Sequence, residues 1–124
     1  MIAATAELKG LRVLVVEDQS ILAMAMEGNL HDLGCEVVGP VGRLTAALQL
    51  ASEEALDAAI LDVDLAGTKV FPVAAALQRR GIPFMFLTGF AGATLPAEWR
   101  GSLCFGKPLD REDLEKFLRS LSQR

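Results

Sequence analysis

Leu11-Arg12-Val13-Leu14-Val15-Val16-Glu17-Asp18 sets the frame for the whole chain. From 11 to 16 nearly every position is apolar, as in a strand buried on both faces of a parallel sheet. The run then stops at two adjacent carboxylates. Weaker runs of the same kind follow at Glu36-Val37-Val38, Ala58-Ala59-Ile60-Leu61, Phe84-Met85-Phe86-Leu87 and Leu103-Cys104-Phe105.

Helical periodicity fills the intervals. Leu22, Met26, Leu30 and Leu33 share one face, and Gly34 offers a stop. Leu44, Leu48 and Ala51 mark a second helix. Val70, Val73, Ala74 and Leu77 mark a third, with Pro72 tolerated in its first turn and Gly81 closing it. Thr94 to Arg100 allows only a short fourth helix. Leu114, Phe117, Leu118 and Leu121 form the last stripe, with Asp110 as its N-cap. Five βα units joined by right-handed crossovers fold into an open parallel sheet with helices on both faces. Residues 1–10 read as a loose lead-in, and 11–124 as one domain.

The 124 residues suit a single domain, and 52% apolar with 23% charged residues supports a hydrophobic core. A net charge of −4 gives no reason to expect nucleic acid or an anionic membrane as partner. Cys35 and Cys104, without a CxxC pair, do not make a disulfide framework. They read as buried small apolar groups with no redox function. The start of the chain has no basic segment leading into a long apolar run, and no stretch is long enough to span a membrane. The expected compartment is the cytoplasm.

Ligands of open α/β sheets bind beyond the carboxyl ends of the strands. Strand one ends in Glu17-Asp18, strand three in Asp62, strand four in Thr88-Gly89 and strand five in Phe105-Gly106-Lys107-Pro108. Three carboxylates meeting at one edge repel, and a hard divalent cation such as Mg²⁺ or Mn²⁺ relieves that repulsion. Asp62 then suits a carboxylate nucleophile toward phosphorus. Thr88 can donate to a phosphate oxygen, and Lys107 supplies a point charge. Each motif alone is also what an ordinary turn carries. Their succession at consecutive strand ends is the informative feature.

In this order the residues resemble the receiver domain of two-component response regulators, over roughly residues 10 to 122. The resemblance implies a flavodoxin-like (βα)5 three-layer sandwich with strand order 2-1-3-4-5. It implies direct metal binding by Asp18 and Asp62, Glu17 acting through water, and the Asp64 main-chain carbonyl as a further ligand. It implies a phosphoaspartate at Asp62, a cis Lys107–Pro108 bond, and a histidine kinase or histidine phosphotransfer protein as donor. Such a domain promotes only its own phosphorylation and dephosphorylation, and is not otherwise an enzyme. It signals to a protein target through the face of the fourth helix, fifth strand and fifth helix.

The sequence departs from the family pattern at the switch. Cys104, followed by Phe105, stands where receivers carry an aromatic three residues before the lysine. The switch is then expected in Thr88, Cys104 and Phe105, within the segment from 88 to 105. Phe86-Leu87-Thr88-Gly89-Phe90 is similar to a subgroup of stand-alone receivers with Phe-Ala-Thr-Gly at this strand end. The chain therefore reads as a stand-alone receiver or as part of a longer regulator. Two rival functions differ in class. Asp62-Val63-Asp64 with Gly67-Thr68 also looks like the first motif of haloacid-dehalogenase-type phosphatases, with the acidic motif that family expects after the lysine represented only by Asp110 and Asp113. A phosphorylation-independent interaction module is the other. His31 reads as a surface or boundary residue, Met24 and Met26 as core, and Trp99 as a partner anchor or as packing under a loop.

Overall fold

The structure is a computed structural model, and it describes residues 8–89 and 95–121. Five parallel strands form the sheet: β1 (Arg12–Val16), β2 (Glu36–Val41), β3 (Ala58–Asp62), β4 (Phe84–Thr88) and β5 (Cys104–Gly106). Their spatial order is 2-1-3-4-5. Four α-helices accompany them among the described residues: α1 (Ser20–Asp32), α2 (Leu44–Glu53), α3 (Phe71–Arg79) and α4 (Arg111–Leu121). The expected flavodoxin-like architecture is borne out.

Strand alternation divides the core in two. Leu14, Val16, Ala59, Leu61 and Phe86 pack toward Ala47, Ala51, Val73, Ala74 and Leu77 of α2 and α3. Val13, Val15, Ile60, Met85 and Leu87 face Met26, Leu30, Leu114, Phe117 and Leu118 of α1 and α4. A strand segment with both faces covered must be apolar at every position, which is why β1 from Val13 to Val16 and β3 from Ala58 to Leu61 carry unbroken runs. Leu8, inside the expected lead-in, is fully buried in the second layer. Gly10 N donates to Gly34 O at 2.8 Å, so the described part of the lead-in is docked; residues 1–7 lie outside the described residues.

The helix ends follow the chemistry of their sequences. Gly34 (φ 90°) and Gly81 (φ 71°) adopt the left-handed conformation after α1 and α3. There Cys35 N reaches Leu30 O, and Ile82 N reaches Leu77 O, satisfying otherwise orphaned carbonyls. Asp110 Oδ1 accepts from Glu112 N at 3.2 Å and caps α4. At the end of α2, Arg80 donates to the carbonyls of Ala51 and Glu54, and Arg12 to that of Ala55.

Gly28 stands on the exposed face of α1, with no described residue within 4 Å of a Cβ added there. Gly28→Ala is expected to stabilise the chain by about 1 kcal/mol in chemical denaturation, because alanine loses less backbone entropy in a helix.

Two expectations are corrected. The fourth helix over Thr94 to Arg100 is a 3-10 turn at Ala97–Trp99, and Thr94 lies outside the described residues. Pro96 opens it, Trp99 N bonds Pro96 O at 2.9 Å, and the buried indole holds it to the sheet. Trp99 thus belongs to the core, stacked on Phe71 and edge-on to Phe84 and Phe86. Met26 is core, but Met24 is 69% exposed. A hairpin absent from the expectations, Asp64–Leu65 against Thr68–Lys69, follows β3. His31 is exposed.

Candidate functional site

β1 and β3 lie side by side in register, with Val16 opposite Leu61. The residues that follow, Glu17 and Asp62, therefore leave the sheet at the same level. Both are buried, at 3% and 2% exposure, while Asp18 faces solvent. One carboxylate oxygen from each of Glu17, Asp18 and Asp62 lies within 4.8 Å of the others.

β5 delivers the counter-charge. Lys107 N donates to Thr88 O at 2.9 Å, which fixes the start of the following loop against β4. The Lys107–Pro108 peptide is cis. The Lys107 ammonium then reaches back across the strand ends. It lies 2.8 Å from Asp62 Oδ2, 3.1 Å from Glu17 Oε1 and 3.3 Å from Gln19 Oε1. Backbone donors complete the cluster: Gln19 N to Glu17 Oε1 at 3.0 Å, and Asp64 N to Asp62 Oδ1 at 3.3 Å.

Glu17 Oε2 is different. It is buried, and no described residue donates a hydrogen bond to it; the Lys107 ammonium makes an ion pair with it at 3.0 Å. Burial pushes the Asp62 carboxyl up to about 7, and the neighbouring Glu17 and Asp18 carboxyls act in the same direction, against the opposing pull of Lys107. Burial pulls Lys107 down, but its hydrogen bonds to Asp62 and Glu17 outweigh this and leave it raised. The single ammonium does not fully offset the buried negative charge. An all-oxygen donor set, with three carboxylates sharing one ammonium and a buried oxygen that no described residue hydrogen-bonds, fits a hard divalent cation.

The cluster opens into a cleft of about 590 Å³ lined by Asp18, Asp62, Asp64, Lys69, Thr88 and Lys107, among others. Thr88 is half-buried at the end of β4. The Asp64 side chain is engaged elsewhere: Oδ1 accepts from Gly67 N at 2.9 Å, and Oδ2 lies 3.6 Å from Lys69 Nζ. A phosphatase acid-base role for Asp64 would require that side chain to be released. Asp110 is likewise occupied as the cap of α4.

Gln19 and Lys69 escaped the sequence reading. Gln19 directly follows the acidic pair, which was a usable signal. Lys69 enters the cleft only through the hairpin, whose two-residue strands leave no periodic trace. Of the expected switch residues, Phe105 packs against the second core layer. Cys104 is exposed on the edge strand β5, which corrects its reading as a buried group. Phe90 and residues 91–94 of the expected switch segment lie outside the described residues. Cys35 is buried, its thiol pushed up to about 11 by burial and by Asp57. A thiol reagent should therefore modify one cysteine of the native chain, Cys104, and reach Cys35 only on unfolding; equal rates by mass spectrometry would contradict this burial.

A doubly wound parallel sheet with acidic groups and a lysine at its carboxyl edge is the arrangement expected of a receiver-type signalling domain. The chain belongs to the response regulator receiver domain family, whose model matches residues 13–119. The chain is similar to SdrG from Sphingomonas melonis Fr1 at 37% identity, with a TM-score of 0.80 over 90% of this chain and 96% of SdrG. The receiver domain of sensor histidine kinase PA1611 from Pseudomonas aeruginosa PAO1, with magnesium in its active-site cleft, shares the fold. Its TM-score is 0.78 at 23% identity, over 93% of this chain and 99% of that domain. Transcriptional regulatory protein PdtaR from Mycobacterium tuberculosis (strain CDC 1551 / Oshkosh) is 30% identical over 107 residues, 83% of this chain and 52% of PdtaR. The chain thus spans about half the length of the curated relatives it matches. Among the described residues no helix is long and apolar enough to cross a membrane.

Proposed function

We propose that this receiver domain takes a phosphoryl group onto Asp62 from a phosphohistidine of a histidine kinase or histidine phosphotransfer protein. The convergence of Glu17, Asp18 and Asp62 on the Lys107 ammonium at one sheet edge carries the reading. An oxygen of Asp62 attacks phosphorus, the phosphorus–nitrogen bond breaks, and the donor ring, already protonated on its other nitrogen, leaves as neutral imidazole, giving an aspartyl phosphate. Hydrolysis of that acyl phosphate by water returns the free carboxylate and inorganic phosphate.

Glu17, Asp18 and Asp62, with the main-chain carbonyl of Asp64, would hold Mg²⁺ or Mn²⁺. When bound, the cation keeps Asp62 ionised and neutralises the phosphoryl oxygens. Lys107 sits where a phosphoryl oxygen on Asp62 would develop charge, and Thr88 borders the same cleft with a hydroxyl donor. Positioning and charge neutralisation suffice for this chemistry, so no separate acid-base machinery is invoked.

The functional unit takes in residues 11–124, with packing that extends back to Leu8. Thr88, Cys104 and Phe105, on β4 and β5 beside Lys107, carry the response to a protein target. A cytoplasmic location suits a donor of this kind. The test is incubation with acetyl phosphate and Mg²⁺, followed by intact mass. One phosphoryl group, stable in acid and lost in base, is the expected adduct; none would favour a phosphorylation-independent module. Sustained release of phosphate from a generic ester would instead favour a phosphatase.

A further inference from the structure

We propose that Gly42 is a positioning residue for the divalent-cation site, acting through Asp18; this rests on the metal reading above. β1 and β2 run in register up to Leu14 opposite Val38, but Val16 stands opposite Val41. Two steps along β1 thus match three along β2, a bulge that carries the end of β2 over the acidic turn. Glu17 N then donates to Val41 O at 2.9 Å, tying the first carboxylate residue to β2. The next residue, Gly42, lies directly against the second. A Cβ at position 42 would stand 2.9 Å from Asp18 Cα, 3.2 Å from Asp18 Cβ and 3.4 Å from Glu17 O.

None of these three atoms is the far end of a flexible side chain, so rotamer change cannot make room. The backbone must shift, either at residue 42 or at Glu17-Asp18, and in both cases the packing of β2's end against the acidic turn changes. Gly42 does not have a left-handed φ, unlike Gly39 nearby, so glycine is required here by space and not by conformation. By contrast, a Cβ at Gly89, bordering the same cleft, meets nothing within 4 Å among the described residues. Asp18 is exposed, and among the described residues the core does not depend on its side chain. Ligand oxygens, however, tolerate displacements of only about 0.2 Å around a bound metal. A methyl at 42 therefore acts on cation binding more than on folding. Mg²⁺, which demands near-octahedral geometry, suffers more than the more permissive Ca²⁺.

The experiment uses the full chain with Gly28→Ala as a stabilised background and compares it with Gly28→Ala/Gly42→Ala. Calorimetric titration with Mg²⁺ should show a loss of about tenfold or more in affinity, with a smaller loss for Ca²⁺ and cooperative melting retained. In metal-free protein the amide resonances of Glu17 and Asp18 should move. Unchanged Mg²⁺ affinity overturns the proposal. So does loss of cooperative melting, because Gly42 would then serve the fold. Failure of the Gly28→Ala chain itself to bind Mg²⁺ overturns the metal reading instead. Unmoved Glu17 and Asp18 resonances overturn the steric coupling whether or not a cation binds.

Discussion

Asp62→Asn is expected to abolish phosphoryl incorporation from acetyl phosphate while the chain becomes more stable at neutral pH. The amide is nearly the same size as the carboxylate but has no anionic oxygen to attack phosphorus. The stability gain follows from the surroundings of Asp62. Burial lifts its carboxyl to about 7 from an ordinary 3.8, so the folded chain binds this proton more tightly than the unfolded chain does. The sign is therefore fixed: stability from this group is fully present below about pH 4 and is lost as pH rises through about 7. Metal-free wild type should lose melting temperature across that window. Asp62→Asn should lose less, ending above wild type at pH 7, and Mg²⁺ should flatten the wild-type slope. Persistent labelling of Asp62→Asn would move the acceptor elsewhere, and parallel pH profiles would contradict the buried carboxyl.

Lys107→Met removes the ammonium that contacts both buried carboxylates. The lysine side chain is 13% exposed, and those of Glu17 and Asp62 are 0% and 2%. At this depth the pair is not screened as a surface salt bridge would be. Removing one partner of a buried ion pair costs about 3–5 kcal/mol, chiefly because the other charge is left uncompensated. We expect a loss of that order for the metal-free variant at pH 7 in denaturant titration. Lower pH should reduce it, since Asp62 then carries its proton. Mg²⁺ should raise the melting temperature of the variant more than that of wild type, because a cation replaces the missing charge. A metal-free variant as stable as wild type would mean that the ammonium does not hold these carboxylates.

Both effects trace to residues visible in the sequence, because each lies just past an apolar run. β1 and β3 are legible since burial on two faces demands apolar residues throughout. Parallel pairing then brings Glu17, Asp18 and Asp62 to one edge without any knowledge of loops. The misreadings have equally local causes. Met24 and Met26 are two residues apart on α1, which places them on opposite sides of the helix; only Met26 meets the core. Cys104 is exposed because β5 is an edge strand, a fact that depends on the spatial order of strands. Trp99, left open between a partner anchor and packing, is settled as packing by Phe71, Phe84 and Phe86, which come from a helix and a strand distant in sequence. Gly42 shows the same boundary: a glycine after a strand is unremarkable until a bulge sets it against Asp18.

Reductive trapping of the phosphorylated chain tests the central claim most directly. Borohydride converts an aspartyl phosphate to homoserine, and peptide sequencing by mass spectrometry then locates it. The account predicts homoserine at position 62 alone, dependent on Mg²⁺ and absent from Asp62→Asn. Homoserine at another aspartate, or a stable phosphoryl group on His31 with residue 62 unmodified, would contradict it.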